Sequence, residues 1–115
     1  MIKRSSNYAD ILHEVVEHEG VLYLAGVVGE DTSADMTGQM RSVTGQIDQL
    51  LAAHGSNKDR ILSCTIYMTD LSQKPALNEV WKEWLNLEHL PARAGIGVAD
   101  LGPGVLVEVM VTAAK

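Results

Sequence analysis

Cysteine, positive charge and long apolar runs are all scarce in this chain of 115 residues, and each scarcity removes a class of protein. One cysteine, Cys64, excludes an intrachain disulfide framework. Nine basic against 15 acidic residues give a net charge of −6, which leaves no basic surface to neutralise phosphates, so a nucleic-acid partner is not expected. The most apolar stretches, Val21 to Val28 and Val105 to Ala114, have strand length and fall short of the roughly 18 to 20 residues that span a bilayer, so no membrane partner is expected either. The opening Met1-Ile2-Lys3-Arg4-Ser5-Ser6 lacks the apolar stretch of a signal peptide, and the expected compartment is the cytoplasm. A phosphate loop is also missing, because Gly102-Pro103-Gly104 precedes a strand pattern and not a helix amino terminus.

What is present is the material of one globular domain, residues 1–115. Apolar residues make up 46% and charged residues 21%, far from the composition of disorder. Two apolar runs from Leu12 to Val28 flank Glu19-Gly20 and predict a hairpin. Asp35 stands where an N-cap precedes Met36, Met40, Val43, Ile47, Leu50 and Leu51 at helical spacing, with Gly55 as the stop. Ile61 to Met68 reads as a strand, with Leu62, Cys64, Ile66 and Met68 on one face. Pro75 opens a second helix whose apolar face is Leu77, Val80, Trp81, Trp84 and Leu85. Two last strands, about Arg93 to Ala99 and Val105 to Ala113, flank the turn Asp100 to Gly104. The expected order is β-β-α-β-α-β-β.

Two helices cover one face of such a sheet, and the other face is too apolar to be left to water. Leu106 and Met110 in the last strand, and both sides of Val21 to Val28, ask for cover, which points to copies of the same chain. In the strand after Pro91 the apolar side is Ala94, Ile96 and Val98. Matching it to the apolar side of the last strand places Arg93 and Glu108 together on the subunit-facing surface. Two readings of that pair stand level, a pocket at the interface and a salt bridge that fixes register.

Pro91-Ala92-Arg93, a strand, a Gly-Pro-Gly turn and Leu106-Val107-Glu108-Val109 are similar to the carboxy-terminal signature of the RidA (YjgF) family of reactive-intermediate deaminases. Tyr23-Leu24-Ala25-Gly26, Asp48 to Gly55, Ile61 to Asp70 and Asn78-Glu79-Val80-Trp81 extend the resemblance over nearly the whole chain. It implies an α/β (α+β) chorismate-mutase-like fold, a mixed sheet with two helices on one face, and a homotrimer with a cleft at each subunit interface. The implied activity is hydrolysis of 2-imino or enamine acids such as 2-aminoacrylate to 2-oxo acids and ammonia, with no cofactor. In that scheme Arg93 clamps the substrate carboxylate, Glu108 positions or activates the water, and Gly95, Gly26 and Tyr8 bind substrate. The chain departs from the family pattern at Ala25 and Val27, where Ser and Gln are usual, and at Gly95, often a cysteine. The Gly-Pro-Tyr motif is missing, with Tyr8 the tyrosine available in its place. The alternative is a non-catalytic trimer that binds a small carboxylate, or a regulatory or interaction protein.

The remaining chemistry-bearing residues read as structural. Cys64 lies on an apolar face, Trp81 and Trp84 fit core packing, and His13, His18, His54 and His89 lack ligand spacing, so no metal is expected.

Overall fold

The computed structural model describes all residues 1–115, and its architecture is a seven-stranded mixed sheet with two helices packed on one face. In chain order the elements are β1 (Lys3–Tyr8), β2 (Leu12–His18), β3 (Val21–Leu24), β4 (Val27–Val28), α1 (Met36–Ala53), β5 (Ile61–Met68), α2 (Lys74–Trp84), β6 (Ala92–Gly97) and β7 (Val107–Ala114). The sheet runs β1-β2-β3-β7-β5-β6, with β4 pairing β7. Only β5 and β6 are parallel, as the crossover through α2 requires.

The expected hairpin is β2–β3, and its turn at Glu19 (φ 49°) and Gly20 (φ 76°) has the two positive φ values that match the twist of the strands. The sequence reading missed β1. That strand is polar and mostly exposed, so it has no apolar period, and it is held by backbone pairing to β2 from Lys3↔Glu17 to Tyr8↔Leu12. The run Val21 to Val28 is also broken in two. After Ala25, whose N–H still donates to Glu14 O at 2.9 Å, the chain leaves β2, and Val27 and Val28 pair only with Val109 and Glu108 of β7.

α1 starts as expected. The Asp35 carboxylate accepts from the Gly38 N–H at 2.9 Å, and Met36, Met40, Val43, Ile47 and Leu51 are buried on one side. Gly55, at φ 77°, follows the helix in the left-handed conformation that glycine favours. α2 carries Pro75 in its first turn and buries Leu77, Val80, Trp81 and Trp84, while Trp84 Nε1 donates to Asp48 at 2.9 Å and ties it to α1. Gln39 is buried, and its amide donates to the carbonyls of Ala34 (3.0 Å) and Gly104 (2.9 Å) and accepts from Leu106 N–H (2.9 Å). One side chain therefore pins the loop before α1 to the loop before β7, satisfying backbone groups that neither loop can satisfy itself.

In β7, Val107, Val109, Val111 and Ala113 are buried under the helices, as the alternation predicts. In β5 the alternation slips. Ile61 pairs Ala113 and Ser63 pairs Thr112, so Leu62 is the extra residue of a bulge, which turns Ile61 inward and leaves Leu62 half-exposed. Leu106, expected on the uncovered face, packs instead against the core. The uncovered face presents Tyr23, Ile96 and Met110.

Candidate functional site

The departure of β3 from β2 leaves the end of β2 paired on one side only, and a cleft of about 440 Å³ lies there. Tyr8, Leu12 and Glu14 come to it from the first hairpin, Ala25 to Val28 and Glu108 from the β3–β7 side, and Gln46 and Leu50 from α1. Gln46 Nε2 donates to Val28 O at 2.8 Å, which fixes the β4 bank to the helix. Glu108 stands on the uncovered face of the sheet, opposite Tyr67 on one side and Val28 on the other. Gly26 lies against its carboxylate so closely that a Cβ there would collide with it. A side chain at this position would have to push the carboxylate aside, which the flexible Glu108 side chain allows. The cleft holds two carboxylates, Glu14 and Glu108, and no cation.

Arg93 lies elsewhere. In β6 it is level with Cys64 of β5, whose side chain is buried under the helices, so Arg93 is on the helix-covered side and Glu108 on the other. This corrects the expectation that the two share one surface of a chain. The expectation treated Ala94 and Ile96 as core-facing because they are apolar. β6 is an edge strand, and its helix side is covered by long side chains that reach over glycines. A Cβ on Gly95 would lie 3.2 Å from Met68 Cε, and one on Gly97 would lie 3.1 Å from Leu71. Ala94 and Ile96 point to the uncovered face beside Thr65 and Tyr67.

The guanidinium of Arg93 is held by α2. Its Nη2 donates to Asn78 Oδ1 at 2.6 Å, and its Cζ sits 4.8 Å from the centroid of the Trp81 ring. No carboxylate of the same chain lies within salt-bridge distance of it. Burial lowers its pKa from the ordinary value, yet a guanidinium stays charged at neutral pH. Cys64 beside it is buried, and that burial pushes its thiol up to about 12, against a smaller lowering by Arg93. It is a neutral thiol at physiological pH and a poor nucleophile. No group of three or more His, Cys, Asp or Glu side chains is placed to hold a metal ion, and no helix is long and apolar enough to cross a membrane.

The predicted residues thus fall into two sets. Tyr8, Gly26 and Glu108 meet in the cleft, while Arg93 and Gly95 sit at the β6 edge. Sequence reasoning missed Glu14 in the first set and the partners of Arg93 in the second. Asn78 and Trp81 are three apart on α2, a helical spacing that could have marked them as a shared face.

Comparison with known proteins finds a match to the family described as Endoribonuclease L-PSP over residues 4–115. A RutC family protein of Haemophilus ducreyi is 36% identical over 101 residues, covering 88% of this chain and 86% of that protein. The RutC family protein YoaB of Escherichia coli is 36% identical over 101 residues, covering 88% of each. Among solved structures, a YjgF family member from Neisseria meningitidis superimposes with a TM-score of 0.94 at 31% identity, covering 100% of this chain and 95% of that one.

Proposed function

The chain belongs to the Endoribonuclease L-PSP (YjgF/RidA) family, and from that membership we propose that it hydrolyses 2-imino and enamine acids such as 2-aminoacrylate to 2-oxo acids and ammonia. The reaction needs no cofactor, because neither carbon nor nitrogen changes oxidation state. An enamine first tautomerises to the imine, its nitrogen giving up a proton and its outer carbon gaining one as the double bond moves from C=C to C=N; water then adds to the imine carbon and its proton passes to nitrogen. The resulting carbinolamine then breaks its C–N bond, releasing ammonia and leaving the oxo group. Glu108 takes the proton of the attacking water and returns one to the departing nitrogen. Arg93 holds the carboxylate through its two-pronged donor face, and Gly95 leaves the backbone beside it accessible. Tyr8 and Gly26 shape the Glu108 side.

The observation that carries this reading is the Arg93 guanidinium, oriented by Asn78 and Trp81 and without a carboxylate partner. A cation held ready but unpaired is arranged for an external anion. Since Arg93 and the Glu108 cleft lie on opposite faces of one sheet, the site is complete only when one copy's β6 edge meets another copy's cleft. The uncovered face with Tyr23, Ile96 and Met110 supplies the contact. A homotrimer closes such a head-to-tail contact into a ring with three equal sites. The location proposed is the cytoplasm.

A second reading, a trimer that binds a small carboxylate without turning it over, is favoured by the cleft wall. Ala25 and Val27 offer neither hydroxyl nor amide to the substrate. RNA cleavage, which the family's description names, fits poorly with a net charge of −6 and a cleft that holds two carboxylates.

The test is ammonia release from 2-aminoacrylate and other 2-imino acids generated in situ, with Arg93→Ala and Glu108→Gln beside the wild type. Turnover above the spontaneous rate, lost in both variants while light scattering still reports the trimer, supports the deaminase. No acceleration on any substrate leaves the carboxylate-binding trimer, and a monomer at micromolar concentration defeats both.

A further inference from the structure

α2 opens on Lys74, and Lys74, Asn78 and Trp81 recur at the i, i+4, i+7 spacing of one helical stripe. Asn78 and Trp81 hold Arg93. Lys74, one turn nearer the start of the helix, reaches over the next residue on the same side of β6: its Nζ lies 3.8 Å from where a Cβ on Gly95 would be. Side chains two apart on a strand share a face, so the ammonium of Lys74 and the guanidinium of Arg93 flank Gly95, which Met68 Cε also approaches. No carboxylate is within salt-bridge distance of either. The first turn of α2 has no acidic residue, but its Lys74 N–H is bonded to Leu71 O and Pro75 has no N–H, so the positive potential at this spot comes from the two side chains. A lysine at the start of a helix opposes the helix dipole, and an anion between the two relieves that opposition. In a chain of net charge −6, two cations that converge on one glycine, neither of them paired with an acid, present two separate points for negative groups.

We propose that the Arg93 site selects dicarboxylates: Arg93 takes the carboxylate next to the reacting carbon, and Lys74 takes a second carboxylate at the far end of the substrate side chain. The substrate class is therefore 2-imino acids with an acidic side chain. The inference rests on the reading of Arg93 as a carboxylate clamp.

The experiment measures calorimetric binding of 2-oxoglutarate and 2-oxobutanoate to the wild-type assembly, Lys74→Met and Lys74→Arg. Lys74 is exposed, and thermal melts of both variants serve as the check that they fold. The expected result is a preference for the dicarboxylate of about tenfold, the scale of one charge-assisted contact, which collapses toward parity in Lys74→Met and is largely restored in Lys74→Arg. Equal binding of the two ligands by the wild type, a preference that survives Lys74→Met, or no binding of either ligand would overturn it. Ammonia release from the imines of glutamate and leucine separates the two levels. A dicarboxylate preference in binding without turnover removes the deaminase reading and the imino-acid substrate but keeps dicarboxylate selection by Arg93 and Lys74, whereas turnover with no preference in binding or rate removes only that selection.

Discussion

The two faces of one sheet treat charge in opposite ways. Under the helices, at the β6 edge, Arg93 is fixed by a hydrogen bond and a ring, with Lys74 alongside and no acid near either. On the uncovered face, Glu108 stands by a glycine in a cleft that has a second acid, Glu14, and no base. Separating opposite charges by a whole sheet keeps them from neutralising each other inside a chain, which is what the proposed substrate site requires. A salt bridge between them would satisfy both and leave nothing for substrate.

The comparison can be broken at its scaffold first. Met68 is fully buried on the helix side and covers Gly95, so Met68→Ala should cost about 3 kcal/mol of stability. Met110→Ala, at a half-exposed position on the other face, should cost under about 1 kcal/mol within a chain and act mainly by weakening self-association. Urea midpoints and light scattering separate the two effects, and equal losses of stability would mean that the faces are not differently buried.

Next in size is the cationic edge. Arg93→Ala should lower kcat/KM about a hundredfold, roughly 2.7 kcal/mol, while the fold survives because no other side chain depends on it except Asn78 and Trp81. The acidic cleft should be more graded. Gly26→Ala forces the Glu108 carboxylate aside without removing it and should cost about tenfold in kcat at nearly unchanged stability. A kcat equal to wild type would show that the position of Glu108 does not matter.

The smallest effect tests burial beneath Arg93. The Cys64 thiol is raised by burial from its ordinary value of 9.0 to about 12. A folded pKa above the unfolded one contributes stability that is complete below pH 9 and declines as pH rises toward 12, because the unfolded chain gives up the proton first. The denaturation midpoint should therefore fall between pH 9 and 10.5 by more in wild type than in Cys64→Ala, and native protein should resist iodoacetamide at pH 8.

Much of the fold was legible because its signals are local. The Asp35 cap, the helical periods of Met36 to Leu51 and Leu77 to Trp84, and the alternation of Val107 to Ala113 all match what the structure contains. The strand Lys3–Tyr8 was not legible, because it is held by backbone pairing and has no apolar face to announce it. The bulge at Leu62 was invisible too, since one extra residue changes no composition and only its partners in Ala113 and Thr112 reveal it.

For the candidate site, Arg93, Glu108, Gly26, Gly95 and Tyr8 could be named from the sequence, as could the family. Which groups meet was decided by tertiary structure alone. Alternation tells which residues of a strand share a side, but not which side faces the helices, and at an edge strand apolar residues point to wherever a neighbour will cover them. The pairing of Arg93 with Cys64 and of Glu108 with Tyr67 settles the sides. Those pairings join residues far apart in the chain, and no local pattern can encode them.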